Sequence, residues 1–248
     1  MDKQVALVTG GTGGIGTAIC QALSKLGNKV VAGYNNGQDP SRAKTWQQQQ
    51  RQAGVEAEIC YGDVSNFESC QAMIAEITQQ WGPVTILVNN AGITQDATLK
   101  KMAVEQWQAV LRINLDSVFN VSRCVLEGML EQGFGRIINI SSINGQKGQF
   151  GQTNYSASKA GIHGFTMALA QEVASKGITV NTLSPGYVAT EMVKKMPTEV
   201  LNKIIANIPL GRLAEPEEIA RLVAFLTEKQ SGFITGANLA INGGQHMC

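Results

Sequence analysis

Cysteine and histidine are scarce in this chain, and neither residue type forms a cluster. The 248 residues include five cysteines, which stand far apart without a Cys-x-x-Cys pair, and two histidines, His163 and His246. An odd and scattered set of cysteines predicts reduced thiols, as in cytoplasmic proteins. Two distant histidines give no basis for a metal site with these cysteines. We therefore expect a cytoplasmic protein without a bound metal.

Long hydrophobic runs and an excess of charge of one sign are also missing. No apolar run approaches the roughly 18 residues that span a bilayer, and the first one stops at a glycine cluster, which argues against a signal peptide. A net charge of +1 with 16% charged residues gives no reason to expect nucleic acid or an anionic membrane as a partner. The composition, 44% hydrophobic, predicts a soluble globular protein.

Short apolar runs alternate with helix-length segments along the chain. The runs predict strands at 5–8, 29–33, 57–61, 85–88, 136–140, 178–183 and 238–241. The other segments predict helices at 14–26, 43–52, 104–130, 154–175, 198–206 and 216–227, and a capping box from Ser65 to Glu68 opens one more, which ends at residue 80. This alternation indicates right-handed βαβ units and a parallel sheet covered on both faces. No linker or repeat divides the sequence, so we interpret residues 1–248 as one α/β domain.

The first turn between a strand and a helix is rich in glycine, because residues 9–16 read Thr-Gly-Gly-Thr-Gly-Gly-Ile-Gly. Gly10 permits the tight turn, Gly14 lets backbone amides approach a pyrophosphate, and Gly16 allows the helix to pack closely on the sheet. A plain structural loop is the alternative, but the position at the start of a βαβ series favours a dinucleotide site. The spacing differs from the more common Gly-x-Gly-x-x-Gly.

Tyr155 and Lys159 stand four residues apart in a predicted helix, so their side chains share one face. A cation close to a phenol favours the phenolate, so we expect the pKa of Tyr155 to lie below about 10. Such a phenol would exchange a proton with a substrate near neutral pH, as general acid catalysis requires. The same spacing also arises by chance on amphipathic helices.

Several short motifs together resemble those of the short-chain dehydrogenase/reductases over nearly the whole chain. They are Thr9-Gly10, Gly14-Ile15-Gly16, Asp63-Val64, Asn89-Asn90-Ala91-Gly92, Asn114, Ser142, Tyr155, Lys159 and Pro185-Gly186. The resemblance implies a Rossmann fold with a doubly wound sheet of seven parallel strands, and a catalytic tetrad of Asn114, Ser142, Tyr155 and Lys159. It further implies a set of cofactor-binding residues, namely Gly10, Gly13, Gly14, Ile15, Gly16, Asp63, Val64, Asn90, Ala91, Gly92, Tyr155, Lys159, Pro185 and Gly186.

Each member of this tetrad has an expected role and a plainer alternative. The Ser142 hydroxyl would donate to the substrate carbonyl and to the developing oxyanion, and Tyr155 would protonate the alkoxide. Lys159 would lower the pKa of the tyrosine and hold the nicotinamide ribose. By resemblance, Asn114 binds a water that links Lys159 to solvent. The alternatives are a turn serine, as we interpret Ser141, a solvated lysine, and a buried asparagine at a helix kink.

The end of the second strand bears on the choice of cofactor. Residues 33–36 read Gly-Tyr-Asn-Asn, without the acid that would bind a ribose 2′-hydroxyl. Arg42 could grip a 2′-phosphate, although a solvated place in the first turn of a helix suits it equally. We therefore expect NADPH. Asp63 would accept from the adenine amino group or serve in a local turn.

The segment 144–155 bears on the substrate. It offers glycines, amide groups and one aromatic ring, without a carboxylate, and it suits a small polar acyl group. This segment and the carboxyl terminus resemble the acetoacetyl-CoA reductases of polyhydroxybutyrate synthesis within that family. The resemblance implies reduction of acetoacetyl-CoA by NADPH to (R)-3-hydroxybutanoyl-CoA. It also implies an acyl site lined by Ser142, Gln149, Phe150, Gln152, Tyr155 and Tyr187.

Two alternative functions remain open. A 3-oxoacyl-acyl-carrier-protein reductase shares the fold and the tetrad, but it typically presents an arginine before the fifth strand, where residues 131–134 read Glu-Gln-Gly-Phe. A non-catalytic NADP-binding regulator would need neither Ser142 nor Tyr155. Three lysines could meet CoA phosphates or simply be solvated: Lys147, Lys194 and Lys195.

The helix around Tyr155 is small or apolar nearly all the way round, whereas a helix covered by one sheet should have a polar outer face. We expect this face to be buried against a second subunit, and the resemblance implies a homotetramer. Residues at about 190–213 should form a lid over the substrate. Its apolar contacts, which could equally be core packing, would be Met192, Val193, Met196, Ile204 and Ile205.

Overall fold

The computed structural model describes residues 3–35, 37 and 39–247, without the side chain of Met192. The strands in this part of the chain form one sheet of seven parallel strands, in the order β3-β2-β1-β4-β5-β6-β7. They are β1 (Val5–Thr9), β2 (Lys29–Tyr34), β3 (Ala57–Tyr61), β4 (Val84–Asn89), β5 (Gly135–Ile140), β6 (Ile178–Pro185) and β7 (Asn238–Ile241).

The helices lie on both faces of this sheet. They are α1 (Gly14–Lys25), α2 (Ser41–Gln52), α3 (Phe67–Trp81), α4 (Val104–Leu111), α5 (Ser117–Gln132), α6 (Asn144–Lys147), α7 (Thr153–Val173), α8 (Glu191–Lys194), α9 (Thr198–Ala206) and α10 (Pro216–Thr227). The predicted α/β fold with a seven-stranded parallel sheet is therefore confirmed.

The central strands are buried throughout because both of their faces are covered. All five residues of β1 are buried, as expected for a parallel sheet between two helical layers. Successive side chains point to opposite faces, so Leu7 packs in the layer with α3, α5 and α7, while Val8 packs in the layer with α1 and α10. The alternation of short apolar runs and amphipathic helices thus produces two cores on one sheet.

The amino-terminal cap of α3 differs from the prediction. The cap is Asn66, whose Oδ1 accepts from the N–H of Ser69 at 2.7 Å. The hydroxyl of Ser65 instead donates to the carboxylate of Asp63 at 2.7 Å. The predicted capping box was therefore wrong, because this serine has a charged acceptor two residues before it.

The long helix predicted at 104–130 is interrupted near its middle. A single turn of π-helix, Arg112–Asp116, separates α4 from α5, and Asn114 lies within that turn. The short helices α6 and α8 were not predicted, whereas α9, α10 and β7 have the predicted bounds. π-helical turns occur mostly at functional sites, so the interruption directs attention to Asn114.

The strand order places a crevice above β1. This strand lies between β2 and β4, and ligands of doubly wound sheets bind where the strand order reverses, at the carboxyl ends of the strands. The glycine-rich turn, residues 90–92 and residues 141–142 all follow strand ends at this edge. None of the described helices is long and apolar enough to cross a membrane.

Candidate active site

A cleft of about 680 Å³ opens at the carboxyl edge of the sheet. Its lining includes three members of the predicted tetrad, Ser142, Tyr155 and Lys159. It also includes predicted cofactor residues, namely Ile15, Asn90, Gly92, Pro185 and Gly186. All four remaining residues predicted at the substrate line it as well: Gln149, Phe150, Gln152 and Tyr187.

The glycine-rich turn leaves room for a ligand where side chains would otherwise stand. Gly10 has a φ of 60°, which favours glycine, and its carbonyl oxygen accepts from the N–H of Gly13 at 3.1 Å. A Cβ on Gly16 would collide with this oxygen, whereas one on Gly13 would meet it at 3.4 Å. Helix α1 begins here without a side-chain cap or an acid in its first turn. Its first N–H groups can therefore receive an anion, so the turn fits the phosphates of a dinucleotide.

Asn90 holds the glycine-rich turn against the end of β4. Its Nδ2 donates to the carbonyl oxygens of Thr9 and Gly10 at 3.0 and 3.2 Å. The Thr9 hydroxyl in turn accepts from the N–H groups of Asn90 and Ala91 at 3.0 and 3.1 Å. The two segments that face the predicted cofactor are thereby fixed relative to each other.

Lys159 is enclosed by protein, and its Nζ donates to the carbonyl oxygen of Ile140 at 2.8 Å. The same Nζ lies 5.7 Å from the centre of the Tyr155 ring. Burial lowers the pKa of Lys159 to about 8, because desolvation penalises the ammonium. The structure thus brings the two side chains together, as their spacing predicts.

The pKa of Tyr155 moves in the direction opposite to the prediction. Burial raises it above its usual value, the hydrogen bond with Ser142 lowers it, and the charges of Asp96 and Tyr187 add to the increase. The prediction of a low pKa was wrong because desolvation is the largest effect on the phenol, while the ammonium of Lys159 donates to Ile140. Tyr155 therefore keeps its proton at neutral pH, which suits a proton donor.

Asn114 lies behind Lys159, with its whole amide engaged. Its Oδ1 accepts from the N–H of Ile93 at 2.8 Å, and its Nδ2 donates to the carbonyl oxygen of Ile93 at 3.0 Å and to the hydroxyl of Ser158 at 3.2 Å. A Cβ on Gly92 would stand 3.3 Å from Asn114 Oδ1 and 3.5 Å from Lys159 Nζ. The glycine therefore keeps the cleft open beside both groups.

A carboxylate that the sequence analysis missed lines the cleft. Asp96 Oδ2 accepts from Gln152 Nε2 at 2.8 Å, and Gln152 Oε1 accepts from Asn144 Nδ2 at 2.9 Å. Because a carboxylate can only accept, it fixes the orientation of both amides. The N–H of Asn144 donates to the hydroxyl of Ser142 at 3.1 Å, so this chain ends at the tetrad. Asp96 and Gln152 are 56 residues apart, and local spacing gives no sign of their contact.

Ser141, which the sequence analysis interpreted as an ordinary turn serine, joins a clamp centred on His163. Its hydroxyl donates to the carbonyl oxygen of Lys159 at 2.8 Å and lies 2.9 Å from His163 Nε2. The same Nε2 is 3.4 Å from the hydroxyl of Ser184, which donates to Asn238 at 2.7 Å. Because both hydroxyls already donate to other acceptors, His163 Nε2 carries the ring proton and donates to the serines. The His163 clamp thus links the ends of β5 and β6 to α7.

The imidazole of this clamp is neutral at pH 7. Burial lowers the pKa of His163 below its usual value, and the positive charge of Lys159 acts in the same direction. One signal for the clamp was visible in the sequence, since His163 follows Lys159 by four residues and so lies on the same face of α7. Its serine partners could not be recognised, because they depend on the packing of the helix against the sheet.

Arg42 and Asp63 have fewer contacts that bear on the cofactor. Arg42 is exposed in the first turn of α2. Nearby, hydrogen bonds from Ser41 and then the charge of Arg42 lower the pKa of Asp39. Asp63 Oδ1 accepts from the N–H and the hydroxyl of Ser65 at 3.0 and 2.7 Å, so it serves in a local turn. Residue 36, part of the stretch used to predict NADPH, lies outside the described residues.

Residues of the predicted lid flank the cleft. Its lining includes Val193, Met196, Val200 and Ile204. Ile205 is half-buried and does not line the cleft, and the side chain of Met192 lies outside the described part. Phe150 is 86% exposed at the opposite wall. The cleft is therefore apolar on the side of α8 and α9 and polar around Ser142 and Tyr155.

This arrangement can bind a carbonyl and protonate its oxygen. Ser142 and Tyr155 line the same cleft, and Ser142 is near enough to lower the pKa of the phenol, so both hydroxyls can face one substrate oxygen. The buried ammonium of Lys159 stands beside the phenol and can balance the negative charge that remains after proton transfer. The neighbouring glycine-rich turn fits a dinucleotide, so the site combines a proton donor with a place for a hydride donor.

Known proteins are similar to this chain over nearly its whole length. A family model described as "short chain dehydrogenase" matches residues 4–200. The acetoacetyl-CoA reductase of Allochromatium vinosum is 57% identical over 98% of this chain and 99% of its own length. The acetoacetyl-CoA reductase of Cupriavidus necator is 54% identical over the full length of both chains. A 3-oxoacyl-acyl-carrier-protein reductase of Vibrio cholerae is 43% identical over 100% of this chain and 99% of its own.

Proposed function

The chain belongs to the short-chain dehydrogenase family and is an oxidoreductase, and from this premise we propose that it reduces acetoacetyl-CoA to (R)-3-hydroxybutanoyl-CoA with NADPH. One observation carries the reaction type: Ser142, Tyr155 and Lys159 line one cleft beside a turn that fits a dinucleotide. The substrate rests on the relatives, since proteins named acetoacetyl-CoA reductase are 57% and 54% identical to this chain. From the resemblance of residues 144–155 and of the carboxyl terminus, we place the reaction in polyhydroxybutyrate synthesis.

The mechanism assigns a separate task to each side chain. The NADPH would supply a hydride to the carbonyl carbon. Ser142 would hold the carbonyl oxygen through its hydroxyl, and Tyr155 would give its proton to the oxyanion that develops there. Lys159 would stabilise the remaining phenolate, and Asn114 would support the lysine from behind. The raised pKa of Tyr155 supports this assignment, because it keeps the proton on the phenol until the oxyanion forms.

The choice of NADPH over NADH rests on the end of β2. Tyr34 and Asn35 stand where a carboxylate would select NADH, and the exposed Arg42 could meet a 2′-phosphate. Arg42 also has an anionic neighbour within the protein, because its charge lowers the pKa of the Asp39 carboxyl. The experiment is therefore a comparison of kcat/KM with both cofactors, and a preference for NADH would contradict the proposal.

A carrier-protein thioester is the second candidate substrate, and Arg136 argues against it. This first basic residue after the 131–134 stretch is buried. Its side chain donates to the carbonyl oxygens of Gly135 and Gly177 at 2.8 and 3.2 Å and packs on the ring of Phe134. It is therefore not offered to an acidic carrier. Higher kcat/KM for acetoacetyl-carrier protein than for acetoacetyl-CoA would favour this second candidate.

We also propose three features that concern the molecule as a whole. Residues 1–248 act as one domain, in which residues 190–213 form a lid over the substrate. The enzyme is a homotetramer. It works in the cytoplasm, which is consistent with four free cysteines among the described residues.

Substitution of Tyr155 by Phe tests the proposal directly. Loss of the proton donor should reduce kcat by about 10²- to 10⁴-fold, while the dissociation constant for NADPH changes little. Turnover is measured by NADPH absorbance with acetoacetyl-CoA, and binding by NADPH fluorescence. An active Tyr155→Phe enzyme would place the acid elsewhere. Binding of NADPH by the unsubstituted protein, without oxidation by any 3-oxoacyl thioester, would favour the non-catalytic regulator.

A further inference from the structure

A second cavity, of about 480 Å³, lies beside the catalytic cleft. We propose that it binds the phosphate-bearing arm of coenzyme A, and this inference rests on the proposed function. The two cavities share four lining residues: Gln149, Tyr187, Val200 and Ile204. A ligand whose thioester lies at Tyr155 can therefore continue into the second cavity without leaving the protein surface.

The walls of this cavity come from two elements of the chain. One wall is a single face of α9 and the residue after it, with Val200, Lys203, Ile204 and Asn207 at helical spacing. The other wall is the end of α6, where Lys147 precedes a turn at Gly148 with a φ of 72°. The cavity therefore lies between the predicted lid and the segment that carries Asn144.

The charge of the cavity is positive. Lys147 and Lys203 line it and no acidic side chain does. Neither lysine forms an ion pair within the part of the chain that the structure describes. Lysine ammonium groups are common partners for phosphate. Lys194 and Lys195, which the sequence analysis also connected with CoA phosphates, do not line this cavity.

Gln245 adds an acceptor to these donors. Among the described residues its Oε1 has no hydrogen-bond partner, although the atom is buried, and Gln245 lines the cavity. An unpartnered buried acceptor is costly, and an amide N–H of the ligand would satisfy it. In coenzyme A a pantetheine arm with amide N–H groups is joined to a diphosphate, so the chemistry of CoA matches both features of the cavity.

The experiment compares acetoacetyl-CoA with acetoacetyl-pantetheine, which lacks the nucleotide and its diphosphate. For Lys203→Glu and Lys147→Glu, KM should rise about tenfold more for acetoacetyl-CoA than for the pantetheine thioester. Added salt should raise the KM of the unsubstituted enzyme for acetoacetyl-CoA more than for the pantetheine thioester, because it screens the charges. Both lysines are exposed, so the variants should fold normally, which circular dichroism checks.

Lys25→Glu is the matched control, because Lys25 ends α1 at the opposite edge of the sheet, and it should leave the ratio of the two KM values unchanged. A ratio that stays constant in both cavity variants would overturn the inference. Titration of free CoA by calorimetry tests the second cavity separately from the proposed function. If no thioester is reduced, the proposed function fails, yet weaker CoA binding by the two variants would still support the cavity.

Discussion

Lys159 has its ammonium surrounded by protein, with a carbonyl oxygen as its hydrogen-bond acceptor. The shift of its pKa from 10.5 to about 8 corresponds to a cost on the order of 3 kcal/mol for keeping the charge inside. A stable fold has no need of such a group. The charge is retained where chemistry uses it, beside the phenol of Tyr155, and this favours a catalytic over a structural role.

Replacement of Lys159 by Met should therefore abolish turnover and raise the free energy of unfolding. The gain at pH 7 should be about 1–3 kcal/mol, because loss of the bond to Ile140 offsets part of the cost that is removed. Between pH 8 and 10.5 the unfolded lysine binds more protons than the folded one, so the unsubstituted protein becomes more stable as pH rises. Urea unfolding at several pH values should show that the variant and the unsubstituted protein differ less in their free energy of unfolding as pH rises from 8 to 10.5. A variant less stable at pH 7 would contradict the argument.

The same pKa predicts how the reaction depends on pH. The ammonium of Lys159 is lost as pH rises through about 8, while the raised pKa of Tyr155 keeps the phenol protonated at higher pH. The kcat/KM for reduction should therefore fall on the alkaline side of pH 8. A profile that stays flat to pH 10 would show that the charge on the lysine is not required.

The His163 clamp predicts that a residue outside the cleft affects catalysis. His163→Leu removes the donor shared by Ser141 and Ser184, so the ends of β5 and β6 lose the hydrogen bonds that join them through His163. We therefore expect kcat to fall about tenfold. His163→Gln can still donate and should recover part of this loss. Stopped-flow turnover and NADPH affinity measured on both variants separate positioning from unfolding. Equal activity of the leucine variant and the unsubstituted enzyme would exclude the role.

In the glycine-rich turn between β1 and α1, the positions differ in how much room they leave for a side chain. Gly16→Ala would drive a Cβ into the carbonyl oxygen of Gly10, and we expect it to weaken NADPH binding at least tenfold and to lower stability by about 1–3 kcal/mol. Gly13→Ala is the control for stability, because its φ of −81° suits alanine and its nearest contact is 3.4 Å. Fluorescence titration and thermal unfolding measure both effects. Equal behaviour of the two variants would refute this difference.

The elements were predictable from the sequence where local pattern decides them. Bounds were correct for α9, α10 and β7, since apolar spacing and proline mark their ends. The π-helical turn could not be predicted, because it accompanies bonds from Asn114 to the distant Ile93. The tetrad as a set was implied by the family resemblance, and only the position of Ser142 followed from a strand end. The pKa of Tyr155 could not be predicted, because desolvation depends on the packed structure.

The outer face of α7 is exposed in the single chain. It is formed by small or apolar residues, and those exposed are Ala157, Ala160, Gly164, Met167 and Ala168. Met167 is 54% exposed. A surface helix would ordinarily place polar residues here, which supports the proposed homotetramer.

Light scattering tests the assembly. The unsubstituted protein at micromolar concentration should have the mass of a tetramer, and Met167→Lys should lower it, because a charge would be buried in the contact. Glu172→Lys, an exposed change near the end of the same helix, serves as the control. A monomer mass for the unsubstituted protein would end the proposal of a homotetramer.

Each of the two hydrophobic layers contains its own thiol. Cys20 is buried with α1 on one face of the sheet, and Cys60 and Cys70 are buried on the other. Burial raises the pKa of Cys60 and of Cys70 to about 12 and that of Cys20 further, so a thiolate-directed alkylating agent can label them only after the chain opens. Mass spectrometry of tryptic peptides after timed alkylation would then measure separately the rate at which each hydrophobic layer opens.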